Sequence, residues 1–310
     1  MSSKLERTGR LSVNDHTRDV MGMRYVYPVV SRRAGGVSVG VNLNPNNACN
    51  WRCVYCQVPE LGFGKGPPID LDLLAVELHE MLDAVVNGDF LERAAPEGAR
   101  RLNDVAFSGN GEPTTSPDFA ASVEVVAKSL EIFALLGSIK VVLITNGSML
   151  GKPELEVTLR RLAEIGGEIW FKLDSATAEG ALRINSCHAS PEEHLDKLRH
   201  AARACPTWIQ TCWFRWSGAA PCEAEQAAYL AALTRLKGEG VPIAGVHLYS
   251  LARPSFQPDA PELAALEPAL LRLGERRARR RLEGHLVLAA VEVGHEIAAE
   301  DGEDREAGEE

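Results

Sequence analysis

The 310-residue sequence contains no apolar run that approaches the about 18–20 residues that a membrane-spanning helix requires. Its first segment, Met1–Arg24, is polar and charged, which is unlike a secretory signal. Aromatic residues are few, at 6%, whereas hydrophobic residues make up 45% and charged residues 25%. This composition is typical of a globular protein and excludes wholesale disorder. We therefore expect no membrane association.

The sequence also lacks the even number of cysteines that complete pairing in disulfides would require. Seven is an odd number in a long chain, which argues against a secreted disulfide scaffold and favours a reducing cytoplasm. Three of the seven lie within eight residues, and that clustering calls for a chemical explanation. The other four show no close C-x-x-C pair, so we expect buried free thiols, with an auxiliary cluster as the alternative. These four are Cys187, Cys205, Cys212 and Cys222.

A surplus of basic residues is absent as well. The net charge is −10, and −7 of it lies in the last segment, Glu296–Glu310, which we interpret as a disordered acidic tail. The one dense basic cluster, Arg276–Arg281, is interpreted as the charged end of the last helix, with nucleic-acid binding as the alternative. Arg32 and Arg33 are expected to be a solvated surface pair, with contact to a phosphate or carboxylate as the alternative.

Strand-like and helix-like segments alternate along the chain. Six short segments rich in β-branched or aromatic residues are each followed by a helical periodicity. This pattern predicts a parallel sheet with helices outside, which fits both an open doubly wound sheet and a barrel. Six units are fewer than the eight of a closed barrel. The predicted strands are Val37–Leu43, Asp104–Ser108, Ile139–Thr145, Glu168–Asp174, Thr207–Phe214 and Ile243–Ser250.

The predicted helices begin and end at recognisable signals. Ser190 is a candidate N-cap that precedes a proline at an early helical position, and Gly238 follows the end of another helix. The segment Val287–Val293 adds either a last strand or a buried helix. The predicted helices are Asp70–Val86, Pro117–Leu136, Glu154–Ile165, Pro191–Ala204, Glu223–Lys237 and Pro261–Leu282.

The first motif that carries chemistry is Cys49-Asn50-Trp51-Arg52-Cys53-Val54-Tyr55-Cys56, a C-x3-C-x2-C spacing. Three thiolates in one loop suit a soft metal centre. A structural zinc site normally has four ligands, and an iron–sulfur cube is usually held by four cysteines. Three cysteines leave one iron of a cube open to a small molecule. A zinc site completed by His188 and accidental clustering are the alternatives.

This motif resembles the signature of the radical S-adenosylmethionine (SAM) superfamily. The resemblance implies that Cys49, Cys53 and Cys56 bind a [4Fe–4S] cluster whose open iron chelates SAM, and that Tyr55 lies against the adenine. It further implies reductive cleavage of SAM to methionine and a 5′-deoxyadenosyl radical, which abstracts a substrate hydrogen. An external reductant of the flavodoxin or ferredoxin type is then required.

The second motif, Ser108-Gly109-Asn110-Gly111-Glu112-Pro113, follows the second predicted strand. A cationic amine needs nearby carbonyls and a carboxylate, and glycine lets the backbone approach closely. The segment is similar to the Gly-Gly-Glu-Pro segment of the same superfamily, which hydrogen-bonds the SAM ammonium. Gly109, Asn110, Gly111 and Glu112 are therefore candidate SAM-binding residues, and Asn110 is a departure from the family pattern.

Polar residues end the other predicted strands too, and in parallel α/β barrels the active site gathers at these ends. By resemblance, Asn146, Asp174 and Ser175 lie near the SAM ribose or carboxylate, and His247 lies near the adenine. A helix or loop cap is the alternative for Asp174. For His247 a satisfied core histidine is the preferred interpretation.

Two further residues are candidate catalytic groups. Lys172 is either a cation paired with Asp174 or Glu112, which is the preferred interpretation, or a substrate-binding amine that forms a Schiff base. Cys187 follows the fourth predicted strand and, if it faces the pocket, is able to give a hydrogen atom to a substrate radical.

A narrower resemblance covers the first predicted strand and its flanks. Ser-Arg-Arg-x-x-Gly-x-Ser-x-Gly-Val-Asn, followed by Cys-Asn-x-x-Cys-Val-Tyr-Cys-Gln, is similar to the Fe–S oxidoreductases grouped with the wybutosine tRNA-base synthases. Those enzymes use cysteines before this point for a second cluster, and they carry a flavodoxin-like extension. No cysteine precedes Cys49 here, and we expect no such extension. The substrate, whether a small molecule, a peptide or tRNA, stays open.

The alternation of strand-like and helix-like segments predicts an α/β fold. Together with the resemblance to the radical SAM superfamily, it predicts a partial (β/α)6 TIM-type barrel with a C-terminal helical extension and a disordered acidic tail. The function predicted is that of a radical SAM oxidoreductase, with tRNA-base modification and a non-enzymatic metal-binding module as alternatives. The expected divisions are a flexible segment over 1–24, the barrel over 25–255, the helical extension over 256–295 and the tail over 296–310.

Overall fold

The computed structural model describes residue 11 and residues 22–31, 35–281 and 287–290. The predictions made for Arg32, Arg33, the acidic tail and most of the 1–24 segment lie outside the described residues. The described strands are β1 Val26–Ser31, β2 Gly36–Val41, β3 Ala48–Cys49, β4 Gly62–Phe63, β5 Leu102–Phe107, β6 Lys140–Thr145, β7 Gly167–Lys172, β8 Thr207–Cys212, β9 Phe214–Trp216, β10 Ile243–Tyr249, β11 Leu263–Ala265 and β12 Val287–Ala290.

Eight of these strands form one sheet in the order β1-β2-β5-β6-β7-β8-β10-β12. From β2 to β12 all neighbours are parallel and follow the order of the chain, whereas β1 pairs with β2 antiparallel. Among the described residues no pairing joins β1 to β12. The prediction of an α/β fold with six parallel βα units in a partial barrel is confirmed.

The helices connect successive parallel strands and cover the outer face of the sheet. On β5, for example, Val105 and Phe107 pack into the main apolar core on the helix side, while Asp104 and Ala106 face the inside of the barrel. The helices are α1 Leu71–Val86, α2 Phe90–Ala94, α3 Phe119–Ile132, α4 Pro153–Glu164, α5 Ala178–Asn185, α6 Pro191–Ala204, α7 Glu223–Gly238 and α8 Pro268–Arg281.

The predicted helix starts and stops hold in part. Ser190 caps α6 in a reciprocal capping box with Glu193, as its position before Pro191 predicts. The last helix begins at Pro268 and not at Pro261, because the chain first forms β11, which pairs with β9. The described part of this helix runs to Arg281, so the basic cluster occupies its last described residues.

Strand β1 and helix α5 are among the elements that the sequence patterns did not predict. Strand β1 contains Pro28, which argues against a central strand, but an edge position tolerates the missing N–H. Helix α5 is only eight residues long and begins at the N-cap Thr177. The segment 256–295 contains α8 and also β12, which joins the main sheet; the predicted domain boundaries stay a prediction.

No helix in the described part of the chain combines the length and the apolar character needed to cross a membrane.

Candidate functional site

A cavity of about 370 Å³ extends from the inside of the barrel to the C-terminal ends of the parallel strands. Ten of the residues that the sequence singled out line it, drawn from the two motifs and from the ends of β6 and β7. The cavity therefore brings together segments that are far apart in the chain. The ten are Cys49, Cys53, Tyr55, Cys56, Gly109, Asn110, Gly111, Glu112, Asn146 and Lys172.

The loop that carries the three cysteines is held by backbone hydrogen bonds to distant segments. Its start forms the short β3–β4 ladder, in which Gly64 N donates to Cys49 O at 3.0 Å. Its middle is tied to the end of α5, because Arg52 N donates to Asn185 O at 3.1 Å. Its end is tied to the segment after β10, where Ser255 Oγ donates to Val54 O at 2.7 Å. The loop is thus fixed at three points before any ligand binds.

The thiols of this loop form an incomplete donor set. Burial raises the pKa of Cys49 to about 11 and that of Cys53 to about 12, so both are protonated at neutral pH until a metal displaces the protons. Among the described residues, no three His, Cys, Asp or Glu side chains are arranged to hold a single metal ion. His188, the proposed fourth zinc ligand, lines a different cavity. In an iron–sulfur cube each thiolate binds a different iron, so the arrangement suits a cube better than one zinc ion.

The glycine-rich segment lies directly against the cysteine loop. A Cβ on Gly111 would be 2.1 Å from the carbonyl oxygen of Ala48, so only glycine allows this approach. The neighbouring turn is fixed by Asn42, whose Oδ1 accepts from Asn110 N at 3.1 Å. This packing places the Gly109–Glu112 segment and the three thiols on the same cavity wall.

Glu112 is 2% exposed and connects the ends of β5 and β6. Its Oε1 accepts from Thr145 Oγ1 at 2.7 Å and also from the backbone N and the hydroxyl of Thr114, while its Oε2 accepts from Asn146 N at 2.6 Å. Burial raises the pKa of Glu112, and these donors oppose that effect. Because Oε2 has a single hydrogen-bond partner among the described residues, it retains a lone pair for a ligand.

Asn146 links the end of β6 to the cysteine loop. Its Nδ2 donates to Asn50 Oδ1 at 2.9 Å, and Asn50 Nδ2 donates in turn to Ser148 Oγ at 2.7 Å. The Asn146 backbone N–H is the donor to Glu112 described above. Asn146 therefore couples the carboxylate of the second motif to the loop of the first.

Tyr55 lies at the centre of a second polar chain. Lys172 Nζ donates to Tyr55 OH at 2.8 Å, and Tyr55 OH donates to Asp174 Oδ2. Asp174 also accepts from Asn185 Nδ2 at 2.7 Å and from Cys212 N at 2.8 Å, so it is an internal anchor and not a helix cap. The direct Lys172 ion pair that the sequence favoured is not observed among the described residues.

The environment keeps Lys172 cationic. Burial by itself would lower its pKa, but Tyr249, Asp174 and the nearby thiols raise it above its ordinary value. A Schiff base requires the neutral amine, so the arrangement favours the cation over the substrate-binding amine.

Four predicted site residues do not line the cavity. Asp174 is buried behind Tyr55, and Ser175 Oγ donates to Glu225 Oε2 at 2.7 Å, on the far side. His247 stacks on Trp208 with ring centroids 4.7 Å apart, the core position that the sequence favoured. Cys187 is 5% exposed and lines a second cavity, so the condition for its role as a hydrogen donor, that it faces the pocket, is not met.

Among the cavity residues that were not predicted as site residues, two belong to β8. Gln210 and Cys212 alternate with outward-facing Ile209 and Thr211, so the period of two in Thr207–Cys212 was the available signal. Gln210 is 1% exposed, and its Nε2 has no hydrogen-bond partner within the described part of the chain. The auxiliary-cluster alternative is not supported, since Cys212 faces this cavity, Cys187 faces another and Cys222 is exposed.

The second cavity, of about 430 Å³, lies on the other side of the cysteine loop. Trp51 and Leu61 line both cavities and separate them. Its remaining walls come from the β4 turn, the end of α5 and the start of α6 and include Arg52, Phe63 and Lys197.

His194 in the wall of this second cavity gives a pH-dependent prediction. Its Nε2 donates to Lys172 O at 2.9 Å, and burial lowers its pKa to about 4, against about 6.5 in an unfolded chain. Between these values the unfolded chain binds a proton that the folded chain rejects, so this histidine makes the free energy of unfolding fall as pH drops from about 6.5 to about 4. We expect His194→Gln to reduce the slope of unfolding free energy against pH in that window, by up to about 1.4 kcal/mol per pH unit.

Urea unfolding at several pH values measures this slope. His200→Gln is the matched control, because His200 is an exposed histidine of the same helix. An identical slope in His194→Gln and the parental protein would contradict the prediction.

Comparison with known proteins identifies the family to which the chain belongs. The model described as the Radical SAM superfamily matches residues 43–215. GTPase Obg of Brachyspira hyodysenteriae is 26% identical over 160 residues, which are 51% of this chain and 21% of that protein. UPF0026 protein MJ1312 of Methanocaldococcus jannaschii is 26% identical over 161 residues, or 52% and 43% respectively. The aligned regions thus span less than half the length of either curated relative.

Solved structures show likeness of fold. HydG, a maturase of the [FeFe]-hydrogenase, has a TM-score of 0.51 at 9% identity, covering 81% of this chain and 50% of that one. TYW1 with a lysine–pyruvate adduct bound has a TM-score of 0.49 at 15% identity, covering 80% and 74%. A radical SAM methyltransferase from Sphaerobacter thermophilus has a TM-score of 0.49 at 12% identity, covering 82% and 66%.

Proposed function

The chain belongs to the radical SAM superfamily, and on this premise we propose that it reductively cleaves SAM at a [4Fe–4S] cluster held by Cys49, Cys53 and Cys56. The observation that carries the proposal is the shared cavity, which these three cysteines line together with Glu112 and Lys172. Three cysteines leave one iron open, and a carboxylate lies on the same wall to receive a cationic amine.

When bound and reduced, the cluster supplies one electron to the SAM sulfonium, which releases methionine and a 5′-deoxyadenosyl radical that abstracts a substrate hydrogen. The protein positions SAM and the substrate and excludes water from them. The Glu112 carboxylate and the carbonyls of Gly109–Gly111 accept hydrogen bonds from the SAM ammonium. Asn146 keeps Glu112 and the cysteine loop in register through its two hydrogen bonds.

The cavity also contains a fixed cation. Lys172 Nζ donates a hydrogen bond to Tyr55, and Tyr55 OH donates one to Asp174, so the position of the ammonium group is fixed. A buried cation is suited to hold a carboxylate of SAM or of the substrate. Gln210 adds a hydrogen-bond donor deeper in the barrel, where the reacting hydrogen would be shielded from water.

Anaerobic reconstitution with iron and sulfide tests the proposal. We expect about four iron atoms per chain and, after reduction by dithionite, formation of 5′-deoxyadenosine from SAM. Metal analysis and chromatography of the products measure both. Zinc binding without iron–sulfur absorbance, or a full cluster that leaves SAM intact under several reductants, would contradict the proposal and favour a non-enzymatic metal module.

A further inference from the structure

Inside the barrel, a buried amide without a hydrogen-bond partner lies next to the fixed cation. Gln210 on β8 and Lys172 on β7 are register partners in the parallel sheet, and both line the cavity. Gln210 is 1% exposed, and its Nε2 donates to no group within the described part of the chain. A buried amide that lacks an acceptor lowers the free energy of unfolding, so a ligand that supplies the acceptor is favoured at this position.

Lys172 also keeps hydrogen-bonding capacity beside Gln210. In the described part of the chain Nζ donates one hydrogen bond, to Tyr55 OH at 2.8 Å, whereas an ammonium group has three N–H donors. Burial alone would lower the pKa of Lys172, but Tyr249 and Asp174 raise it above its ordinary value, so the group is charged at neutral pH. Neighbouring strands are about 4.8 Å apart, so a cationic donor and a neutral donor lie side by side. Two donors at this spacing suit the two oxygens of one carboxylate.

An apolar patch adjoins the two donors on the inner face of the sheet. We call it the inner patch and define it by Ala106, Val142, Ile144 and Trp170, which all line the cavity. Ala106, Val142 and Trp170 form an apolar cluster separate from the main core, and Ile144 packs against it. These residues precede the strand ends that carry Glu112 and Asn146, so the inner patch lies deeper in the barrel than the two motifs.

The charges of the cavity favour a monoanion beside Gln210. Glu112 is assigned to the SAM ammonium, and Asp104 accepts a hydrogen bond from Ser38 on the neighbouring strand β2. Lys172, as the register partner of Gln210, matches one negative charge there. A phosphate dianion would leave a second charge and further oxygens against the inner patch, which cannot solvate them. The described charged residues that line the cavity are Asp104, Glu112, Lys172 and Arg253.

We propose that this part of the cavity binds the carboxylate of a small substrate, with its oxygens on Lys172 and Gln210 and its hydrocarbon portion on the inner patch. This inference rests on the proposed function, since it names the substrate class of the same site: a monocarboxylic acid with an apolar chain or ring. The hydrocarbon portion supplies the C–H bond from which hydrogen is abstracted. Lys172 and Gln210 then select a carboxylate over its neutral isosteres.

Ligand binding without turnover tests the proposal. The protein is the cluster-loaded enzyme saturated with S-adenosylhomocysteine, the probe is butyrate, and saturation-transfer NMR measures its affinity. We expect butyramide to bind at least about tenfold more weakly, because it carries no charge for Lys172. From acetate to butyrate each added methylene should tighten binding by about fourfold, the factor that corresponds to about 0.8 kcal/mol per buried methylene.

Substitution of the two donors gives the second set of results. Gln210→Leu and Lys172→Met should each weaken butyrate binding by about tenfold, whereas the affinity for S-adenosylhomocysteine should stay unchanged in Gln210→Leu. Gln210→Leu should also raise the urea midpoint of the ligand-free protein, because it removes the unsatisfied amide. The matched control is Gln226→Leu on α7, whose Nε2 donates to Pro221 O at 2.7 Å outside the cavity. It should lower the urea midpoint and leave butyrate binding unchanged.

Three results would overturn the inference. The first is equal affinity for butyrate and butyramide, and the second is unchanged butyrate affinity in Gln210→Leu. The third is competition between butyrate and S-adenosylhomocysteine with equal losses of affinity in Gln210→Leu, which would assign the two donors to the carboxylate of SAM. The proposed function fails separately, when the reduced, cluster-loaded parental enzyme leaves SAM intact. An enzyme that cleaves SAM and gives any of the three results keeps the proposed function and loses this inference.

Discussion

Cys53→Ser is expected to lose the cluster and, with it, all SAM cleavage. Cys53 is one of the three cysteines of the loop that line the cavity, and its Sγ accepts from Asn185 Nδ2 at 3.3 Å. A serine hydroxyl is a harder ligand that stays protonated at neutral pH, so only two thiolates remain for the cube. We expect less than about one iron per chain after reconstitution and less than about 1% of the parental 5′-deoxyadenosine.

Iron and sulfide analysis, the visible absorbance of the cluster and the product assay measure these losses. Cys222→Ser is the matched control, since Cys222 is exposed and begins α7 as an N-cap without a side-chain hydrogen bond. Serine is a good N-cap, so that variant should keep its iron and fold at least as stably. Full iron content in Cys53→Ser would refute the ligand assignment.

The parts of the fold set by local patterns were predictable from the sequence. Strand β7 was expected over Glu168–Asp174 and is observed over Gly167–Lys172, because an apolar run between turn residues specifies a buried parallel strand. The two motifs were equally readable, since each is contiguous and each follows a parallel strand. They do meet in one cavity, as neighbouring parallel strands require.

What the sequence did not reveal depends on the direction of single side chains. Cys212 ends β8 and faces the cavity because the strand presents it on the same side as Gln210, whereas Cys187 follows α5 and lines the second cavity. One residue of register reverses that outcome. His247 shares the inward face but is enclosed by Trp170 and Trp208, and aromatic packing between strands carries no sequence signal.

The hydrogen bonds that fix the cysteine loop also could not be predicted from the sequence. Ser255 and Gln257 hold it across about 200 residues of chain, with Gln257 Nε2 donating to Val58 O at 3.0 Å. Asn185 holds it from the end of α5, a helix too short for its periodicity to be recognised. Such contacts follow from the parallel sheet, which places the segments after β2, β7 and β10 at the same end.

Glu112→Gln is expected to weaken both SAM binding and the fold, and the two effects can be separated. The amide oxygen of the glutamine can replace Oε1 as the acceptor from Thr114 and Thr145. The amide NH2 group then faces the Asn146 N–H, so two donors meet without an acceptor. That mismatch should lower the free energy of unfolding by about 1–3 kcal/mol. Loss of the negative charge should weaken binding of the SAM ammonium by about tenfold to a hundredfold.

Glu77→Gln is the control that isolates the ligand effect. Glu77 is 6% exposed and likewise accepts from backbone N–H groups, those of Arg24 at 2.7 Å and Tyr25 at 2.8 Å, but it does not line the cavity. Urea unfolding should show a similar loss in both variants. Calorimetry with S-adenosylhomocysteine, which keeps the ammonium and carboxylate of SAM, should show weaker binding in Glu112→Gln alone. Equal loss of stability with unchanged ligand affinity would reduce Glu112 to a structural bridge between β5 and β6, and the ammonium would then have to be held by the Gly109–Gly111 carbonyls alone.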